Sequence, residues 1–526
     1  MKYNNNFYQI IFPIIISLVF IGGIYFTHLL PEKKTKSNIS TEERKLQAIL
    51  NYIVEEYVDS IDLTHLIENT LPPLLDYLDP HSIYIPASDL SEASEPLEGE
   101  FEGIGIEFNM QSDTIVVINT ISGGPSEKIG ILPGDRIVLI NDSLFAGRKI
   151  DTKDIIKQLK GKRGTKVKVS IKRKPFEELI DYEITRDRIP LHSVDVAFMY
   201  NDDIGYIKIS KFAKHTHKEF VHAAKQMLDR GMKKIILDLR GNSGGYLDAA
   251  TALSDEFLEA NKLIVYTQGR NRPKVETFSS RKGSCKNIEL AVLIDEWSAS
   301  ASEIFAGAMQ DNDRGIVIGR RSFGKALVQE PTFFKDGSSL RLTVARYYTP
   351  LGRSIQRPYE KGTVDYYESL VNQILDPENQ LNDTIQKEKF VTPKGKILYG
   401  GGGILPDIVI GHDTTDLTPF FREVVRKNLI YRFAWDFSDN NRKSLEGFKD
   451  WKSLDQHLDN INILNRFNNF LKKQEIIAPE NDKANKIILT HIKAYIARNI
   501  IDSQGFYPIA LSIDNTFLRA VEELSK

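Results

Sequence analysis

The apolar positions of this chain change their period several times. Residues 10–30, IIFPIIISLVFIGGIYFTHLL, form a long apolar run without an acidic residue, a lysine or an arginine. A bilayer core takes about 20 such residues. The run is longer than the usual apolar part of a signal peptide, and no A-x-A cleavage pattern follows it. It predicts an uncleaved signal anchor, with a buried apolar helix as the alternative. A short tail (1–9) precedes it and a polar stalk (31–44) follows. Between 45 and 98, KLQAILNYIVEEYV and LTHLIENTLPPLLDYL have helical apolar spacing. LDPHSIYI (78–85) then closes the region with a turn in which His81 is expected to hydrogen-bond.

From 101 to 174 the period shortens. GIGIEF, TIVVINTI, DRIVLI and KVKVSIKRK read as strands, separated by SGGPSEKIGILPGD and DTKDIIKQLKGKRG. From about 186 the pattern becomes α/β. IGYIKISKF is a strand, HKEFVHAAKQMLDRG an amphipathic helix ending at a glycine, and KKIILDLRGNSGG a buried strand running into a glycine turn. IELAVLIDE is a further strand. After residue 415 the composition turns helical, which predicts a separate C-terminal helical appendage.

Candidate chemistry centres on DEWSASASEIFAG (295–307), where a strand runs into a helix. Ser300 with Glu303 fits the S-x-x-E capping box, so Ser300 can be a helix cap and nothing more. The same place suits a nucleophile, because unpaired N–H groups at a helix start can hold a developing oxyanion. A nucleophilic serine needs a base, and no histidine is near in sequence. Lys325, in the apolar-flanked GRRSFGKALVQE, can serve if burial lowers its pKa, although such a lysine is more often solvated. GNSGG (241–245) satisfies G-x-S-x-G and offers Ser243 as a rival nucleophile with His412 or His457 downstream. His215, His217 and His222 fit no standard zinc spacing, so no metal is expected.

Composition changes this picture little. The 526 residues suggest about three domains. A formal charge of −2 gives no pull toward nucleic acid, which is not expected as a partner. The single cysteine, Cys285, excludes an intramolecular disulfide framework and a multi-cysteine zinc site. Lys2 lies before the apolar run, and Lys33, Lys34 and Lys36 after it. That charge bias alone speaks against exporting the C-terminal part.

Two resemblances sharpen the reading. GIGIEF, GPSEKIGILPGDRIVLIND and TKDIIKQLKG resemble the carboxylate-binding loop, turn and groove helix of a PDZ module. A module of that kind adds an extended peptide to a sheet edge and captures its terminal carboxylate on backbone N–H groups. Gly103, Ile104, Gly105 and Ile106 are the expected peptide contacts. Arg136, just after the turn, either couples ligand binding to the active site or is an ordinary exposed arginine. SASASEIFAGAMQDNDRGIVIGRRSFGKALVQE resembles the active-site segment of the C-terminal processing peptidases, the tail-specific serine proteases. LDPHSIYI, LDLRGNSGGYLDAA, ARYYTPLGRSIQ and GGGILPDIVI extend that match over about 45–412.

The resemblance implies an α/β crotonase-like serine protease core (176–412) with an inserted PDZ domain (99–175). An N-terminal helical region (45–98), a C-terminal helical domain (413–526) and a single transmembrane helix complete the fold class. It implies Ser300 as nucleophile, Lys325 as general base and Gln329 as the residue orienting the lysine. The N–H of Ala301 and that of Gly244 or Gly245 are the implied oxyanion hole, with Asp311, Asp238 and Arg240 in support. Ser298 and Ser302 are left as cap and packing residues. No metal or organic cofactor is implied. The expected partners are protein substrates with free, apolar C-termini, the membrane through residues 10–30, and a second copy or an adaptor protein. The expected location is the bacterial inner membrane, single-pass, with the catalytic part on the periplasmic side. One departure stands out: Ala326 follows Lys325 where the family commonly has glycine. A positive φ there would cost about 1 kcal/mol or more. Ala326 therefore favours the rival reading, an impaired PDZ scaffold that binds tails without cutting them.

Overall fold

The computed structural model describes residues 40–111, 113–121, 123–173, 176–375, 388–412, 417–479 and 483–526. The expected anchor at 10–30 lies outside them. No helix among the described residues is long and apolar enough to cross a membrane. The chain divides into two compact units, Met1–Leu71 and Pro72–Lys526. In the first, helix Thr41–Glu56 starts on a capping box between Ser40 and Glu43 and buries none of its residues.

The second unit is built around a six-stranded sheet. Its order is Val194–Met199, Ile204–Ile209, Lys234–Asp238, Glu289–Ile294, Ile316–Gly319 and Ile408–Val409. The first pair is antiparallel and the remaining pairs are parallel. The central strands are apolar on both faces, as a covered parallel sheet demands. Ile235, Leu237, Val292 and Ile294 point to one layer, with Phe220, Leu253 and Phe305 of the helices Thr216–Leu228, Leu247–Asp255 and Ala301–Asp311. Tyr206, Ile236, Ala291 and Leu293 point to the other, where Phe517, Ala520 and Leu524 of helix Asn515–Leu524 cover them.

That second layer corrects an expectation. The C-terminal region is not wholly an appendage, because its last helix covers the six-stranded sheet. The described helices from Pro419–Arg426 to Asn485–Ile500 have a core of their own around Phe433, Phe467, Ile488 and Ile492.

A five-stranded sheet pairs Ser339–Tyr348 with Ile83–Ile85, Leu263–Gly269 and Leu327–Phe333, and Arg272–Phe278 lies beyond Leu263–Gly269. The PDZ-like segment forms a third sheet, in the order Ile106–Gln111, Thr114–Thr120, Arg136–Ile140, Lys166–Lys172 and Leu179–Thr185. The last strand pairs with Lys166–Lys172 along its whole length. The module therefore runs past the boundary at 175 that the sequence suggested. Strands Glu100–Gly103 and Asp187–Pro190 pair with each other where the chain enters and leaves the module.

Candidate active site

Strand Glu289–Ile294 ends at a turn that delivers Ser300 to the start of helix Ala301–Asp311. The flanking serines hold that turn. Ser298 Oγ accepts from the Asp295 N–H (2.9 Å) and donates to the Leu239 carbonyl (2.9 Å). Ser302 Oγ donates to the Asn242 carbonyl (2.9 Å). Both therefore serve packing and capping, as expected. Ser300 has φ 54° and ψ −111°. An ordinary N-cap is extended. This conformation costs a residue with a side chain about 1–3 kcal/mol and is characteristic of functional sites.

The lysine loop is bound to this turn by one carboxylate. Glu303 is fully buried. Its Oε2 accepts from the N–H groups of Ser300 (2.8 Å) and Lys325 (2.9 Å). Its Oε1 accepts from the Gly324 N–H (2.7 Å) and Ser322 Oγ (2.5 Å). Burial pushes this carboxyl up to about 7 although the donors pull it back. Tyr347 Oη makes a second link, 3.0 Å from the Ser300 carbonyl oxygen and 2.7 Å from that of Lys325.

The Lys325 side chain is partly buried against this junction. Its Nζ donates to Gln329 Oε1 (3.1 Å), and Gln329 Nε2 donates to the His81 carbonyl oxygen. Burial lowers the amine below its ordinary value, while the carboxylates of Asp79 and Glu303 act in the opposite sense. The histidine the sequence placed in a distant turn is a neighbour. His81 is pushed down to about 4 by burial and then by Lys325, and its Nε2 lies 2.9 Å from Tyr366 Oη. Asp79 accepts from the N–H groups of His81 and Ser82. Among the described residues Lys325 Nζ makes no direct hydrogen bond to Ser300 Oγ. Such catalytic contacts are often long until substrate is bound.

Ala326 fits without strain. It is absent from the residues with positive φ. Its N–H donates to Gln356 Oε1 (2.7 Å), and its carbonyl accepts from the Tyr347 N–H (3.0 Å). The residue that needs glycine is Gly324, at φ +92°, where a Cβ would come within 2.9 Å of the Gly403 nitrogen.

The glycine loop lies against Ser300. A Cβ on Gly244 would sit 2.8 Å from Ser300 Cβ and 3.0 Å from the Ala301 nitrogen. The Gly244 N–H is taken by Asn242 Oδ1 (2.9 Å). Those of Gly245 and Ala301 have no acceptor among the described residues. Asp238 and Arg240 brace the loop. Burial would raise Asp238, but Arg240 and Lys208 hold it well below the usual carboxylate range. Arg240 also reaches Asp514 (2.7 Å). Asp311 stands at the far end of the Ser300 helix, about 16 Å along the axis. There it pairs with buried Arg353 and accepts from the Leu351 N–H (3.0 Å). Its support is to the core and not to the reacting atoms.

The rival features do not assemble. Ser243 is exposed and has no strained backbone, while His412 faces Glu296 (3.4 Å) and His457 packs on Phe448. His217 pairs with Glu256 (2.8 Å), and no cluster able to hold a metal exists among the described residues. In the third sheet, Ile104 is buried beside Ile155 and Leu159 of helix Thr152–Leu159, Gly105 has φ +73°, and Ile106 opens the edge strand. Arg136 pairs with Asp439 of the helical region (2.8 Å), so it is neither free nor directed at the active site. Sequence reasoning missed Tyr347 and Asn242 altogether. It recognised Glu303 only as a cap, through the S-x-x-E spacing.

Comparison with known proteins bears on the family of the chain. The model of peptidase family S41 matches residues 203–367, and that of the PDZ domain matches 103–184. A family of unknown function, DUF8443, matches 420–502. The carboxy-terminal-processing protease of Bartonella bacilliformis is 34% identical over 350 residues, covering 64% of this chain and 80% of that one. Carboxy-terminal processing protease CtpB of Bacillus subtilis is 31% identical over 360 residues, covering 67% and 74%. The solved photosystem II D1 C-terminal processing protease aligns at a TM-score of 0.36 and 25% identity, over 62% of this chain and 86% of that one. The chain belongs to the carboxy-terminal processing proteases of peptidase family S41, and it is a serine endopeptidase with a PDZ domain.

Proposed function

We propose that the enzyme takes the free, apolar C-terminus of a protein into its PDZ groove and cleaves the tail at Ser300 by a Ser-Lys mechanism. The observation that carries this reading is the partly buried Lys325 amine, held by Gln329, on a residue whose backbone is tied through Glu303 and Tyr347 to the backbone of a strained serine. Neutral Lys325 accepts the proton of Ser300 Oγ as the oxygen attacks the scissile carbonyl carbon. The N–H groups of Ala301 and Gly245 hold the oxyanion. The lysine ammonium then gives its proton to the leaving amine. Water, deprotonated by the same amine, releases the acyl group from Ser300. The open edge of strand Ile106–Gln111, beside helix Thr152–Leu159, supports tail binding by strand addition. The impaired-scaffold reading loses its one support, because Ala326 is unstrained.

The proton-transfer step is tested by pH. Only the neutral amine is a base, and burial lowers the pKa of Lys325. The single-turnover acylation rate is expected to rise with pH until the amine is deprotonated and then to level off. A rate flat from about pH 6 to 9 would contradict a lysine base. A fluorophosphonate that labels wild type and fails on Ser300→Ala identifies the nucleophile.

Residues 10–30 would anchor the enzyme in the bacterial inner membrane with the protease on the periplasmic side, supported by an apolar run long enough to span. Removal of residues 1–30 is expected to release active enzyme from the membrane fraction. Retention there would count against the anchor.

A further inference from the structure

We propose that the helical region matching a family of unknown function is a strut. It fixes the PDZ domain relative to Ser300 and thereby sets how far from a tail's end the cut falls. The proposal rests on the reading of Ser300 and tail binding given above.

The first argument comes from strand Thr114–Thr120. A strand with one solvated face alternates apolar and polar positions. Here Ile115, Val116, Val117 and Ile118 are all buried. Ile115 and Val117 enter the PDZ core. Val116 and Ile118 point the other way, onto Trp435 of helix Leu429–Asn440, which is fully buried against them. Ion pairs flank this contact: Arg136 with Asp439 (2.8 Å) and Arg498 with Glu107 (2.5 Å). The tight turn before Arg136 lies so close that a Cβ on Gly134 would be 3.2 Å from Asp439 Oδ1. The module's outer face is thus specialised for this one neighbour.

Past the end of this region, helix Ser503–Ala510 packs on its core through Ile509, and the chain beyond is fastened to the protease. Helix Asn515–Leu524 forms a layer of the core sheet. Asp514 pairs with Arg240, which also holds Asp238 at the foot of the glycine loop. Between the two attachments runs helix Asn485–Ile500, packed within the region's own apolar core. Among the described residues the PDZ domain meets the rest of the molecule through the paired strands Glu100–Gly103 and Asp187–Pro190, with Lys160 paired to Glu95 beside them, and through this packed body. The paired strands alone would allow a hinge. The packed body fixes the angle and leaves the open edge of strand Ile106–Gln111 available.

The consequence is one of reach. An extended tail spans about 3.3–3.6 Å per residue. With its carboxylate held by a fixed PDZ domain, only a narrow window of residues can lie over Ser300. Freeing the module widens that window and lowers the effective concentration of the tail at the nucleophile.

The test uses the full-length enzyme and two substrates. One is an unfolded polypeptide with a free apolar C-terminus, its products mapped by mass spectrometry. The other is a short quenched peptide with an amidated end, which cannot use the carboxylate loop. Wild type is expected to cut the first within a narrow window. Trp435→Ala and Arg136→Asp are expected to spread the cuts and raise KM for the first substrate about tenfold. Hydrolysis of the short peptide should stay within about twofold, because Ser300 and its partners are untouched. Arg136→Asp combined with Asp439→Arg should restore the narrow window, which excludes misfolding as the cause. An unchanged cleavage window in both single variants would overturn the strut. So would a large rise in short-peptide hydrolysis, which would make the contact a brake. If wild type cleaves neither substrate and takes no fluorophosphonate label, the active-site reading itself has failed.

Discussion

Lys325→Met is expected to lower kcat/KM for peptide-bond cleavage by about 10⁴-fold or more, with Ser300→Ala equally severe and the double variant no worse. The residues act as one unit, so their losses do not add. Methionine keeps the length of the stem and suits the buried site, and it removes a desolvated amine. The thermal midpoint should hold or rise, which separates a catalytic defect from a folding one. His81 is the other titratable nitrogen near the site. Its ring is committed to Tyr366, and only its carbonyl reaches the catalytic residues, through Gln329. His81→Ala should therefore lose far less activity than Lys325→Met. Substantial cleavage by Lys325→Met, or a larger loss from His81→Ala, would remove the lysine from the mechanism.

Glu303→Gln should cost about 10²-fold in kcat, because small misplacements of reacting groups have effects of that size. The carboxylate accepts from Ser300, Ser322, Gly324 and Lys325. A carboxamide offers one oxygen, and its NH₂ would face two of those donors. Each buried donor left unpaired costs about 1–3 kcal/mol. A second readout follows from linkage. The folded value of Glu303 is raised to about 7 from 4.5. Its protonated form is favoured in the folded state, so its contribution to stability is full below about 4.5 and is lost as pH rises through about 7, amounting to roughly 3 kcal/mol. Glutamine lacks that dependence. The stability gap between wild type and Glu303→Gln should narrow as pH rises across this window. Parallel stability curves would show that Glu303 does not titrate as described.

Much of the site was legible because the family's residues lie in one contiguous stretch, 298–330, with a recognisable glycine loop ahead of it. Which glycine N–H is left free was not legible, because it depends on Asn242 taking that of Gly244. The Ala326 departure could not be weighed either, since its cost depends on a backbone angle that the residue names do not state. Arg136 had an open assignment until its partner, Asp439, about 300 positions away, came into contact with it.

The sequence by itself determined most of the elements and the PDZ-like module, and it singled out Ser300 and Lys325 as candidates. Periodicity and short motifs are local properties, written in neighbouring residues. Only the tertiary structure decided that Glu303 and Tyr347 tie the backbones of Ser300 and Lys325 together. It alone placed the last helix under the core sheet and Trp435 on the outer face of the PDZ domain. Those facts arise from contacts between residues far apart in the chain. Such contacts depend on shape and burial in three dimensions, and they leave no period in the sequence to read.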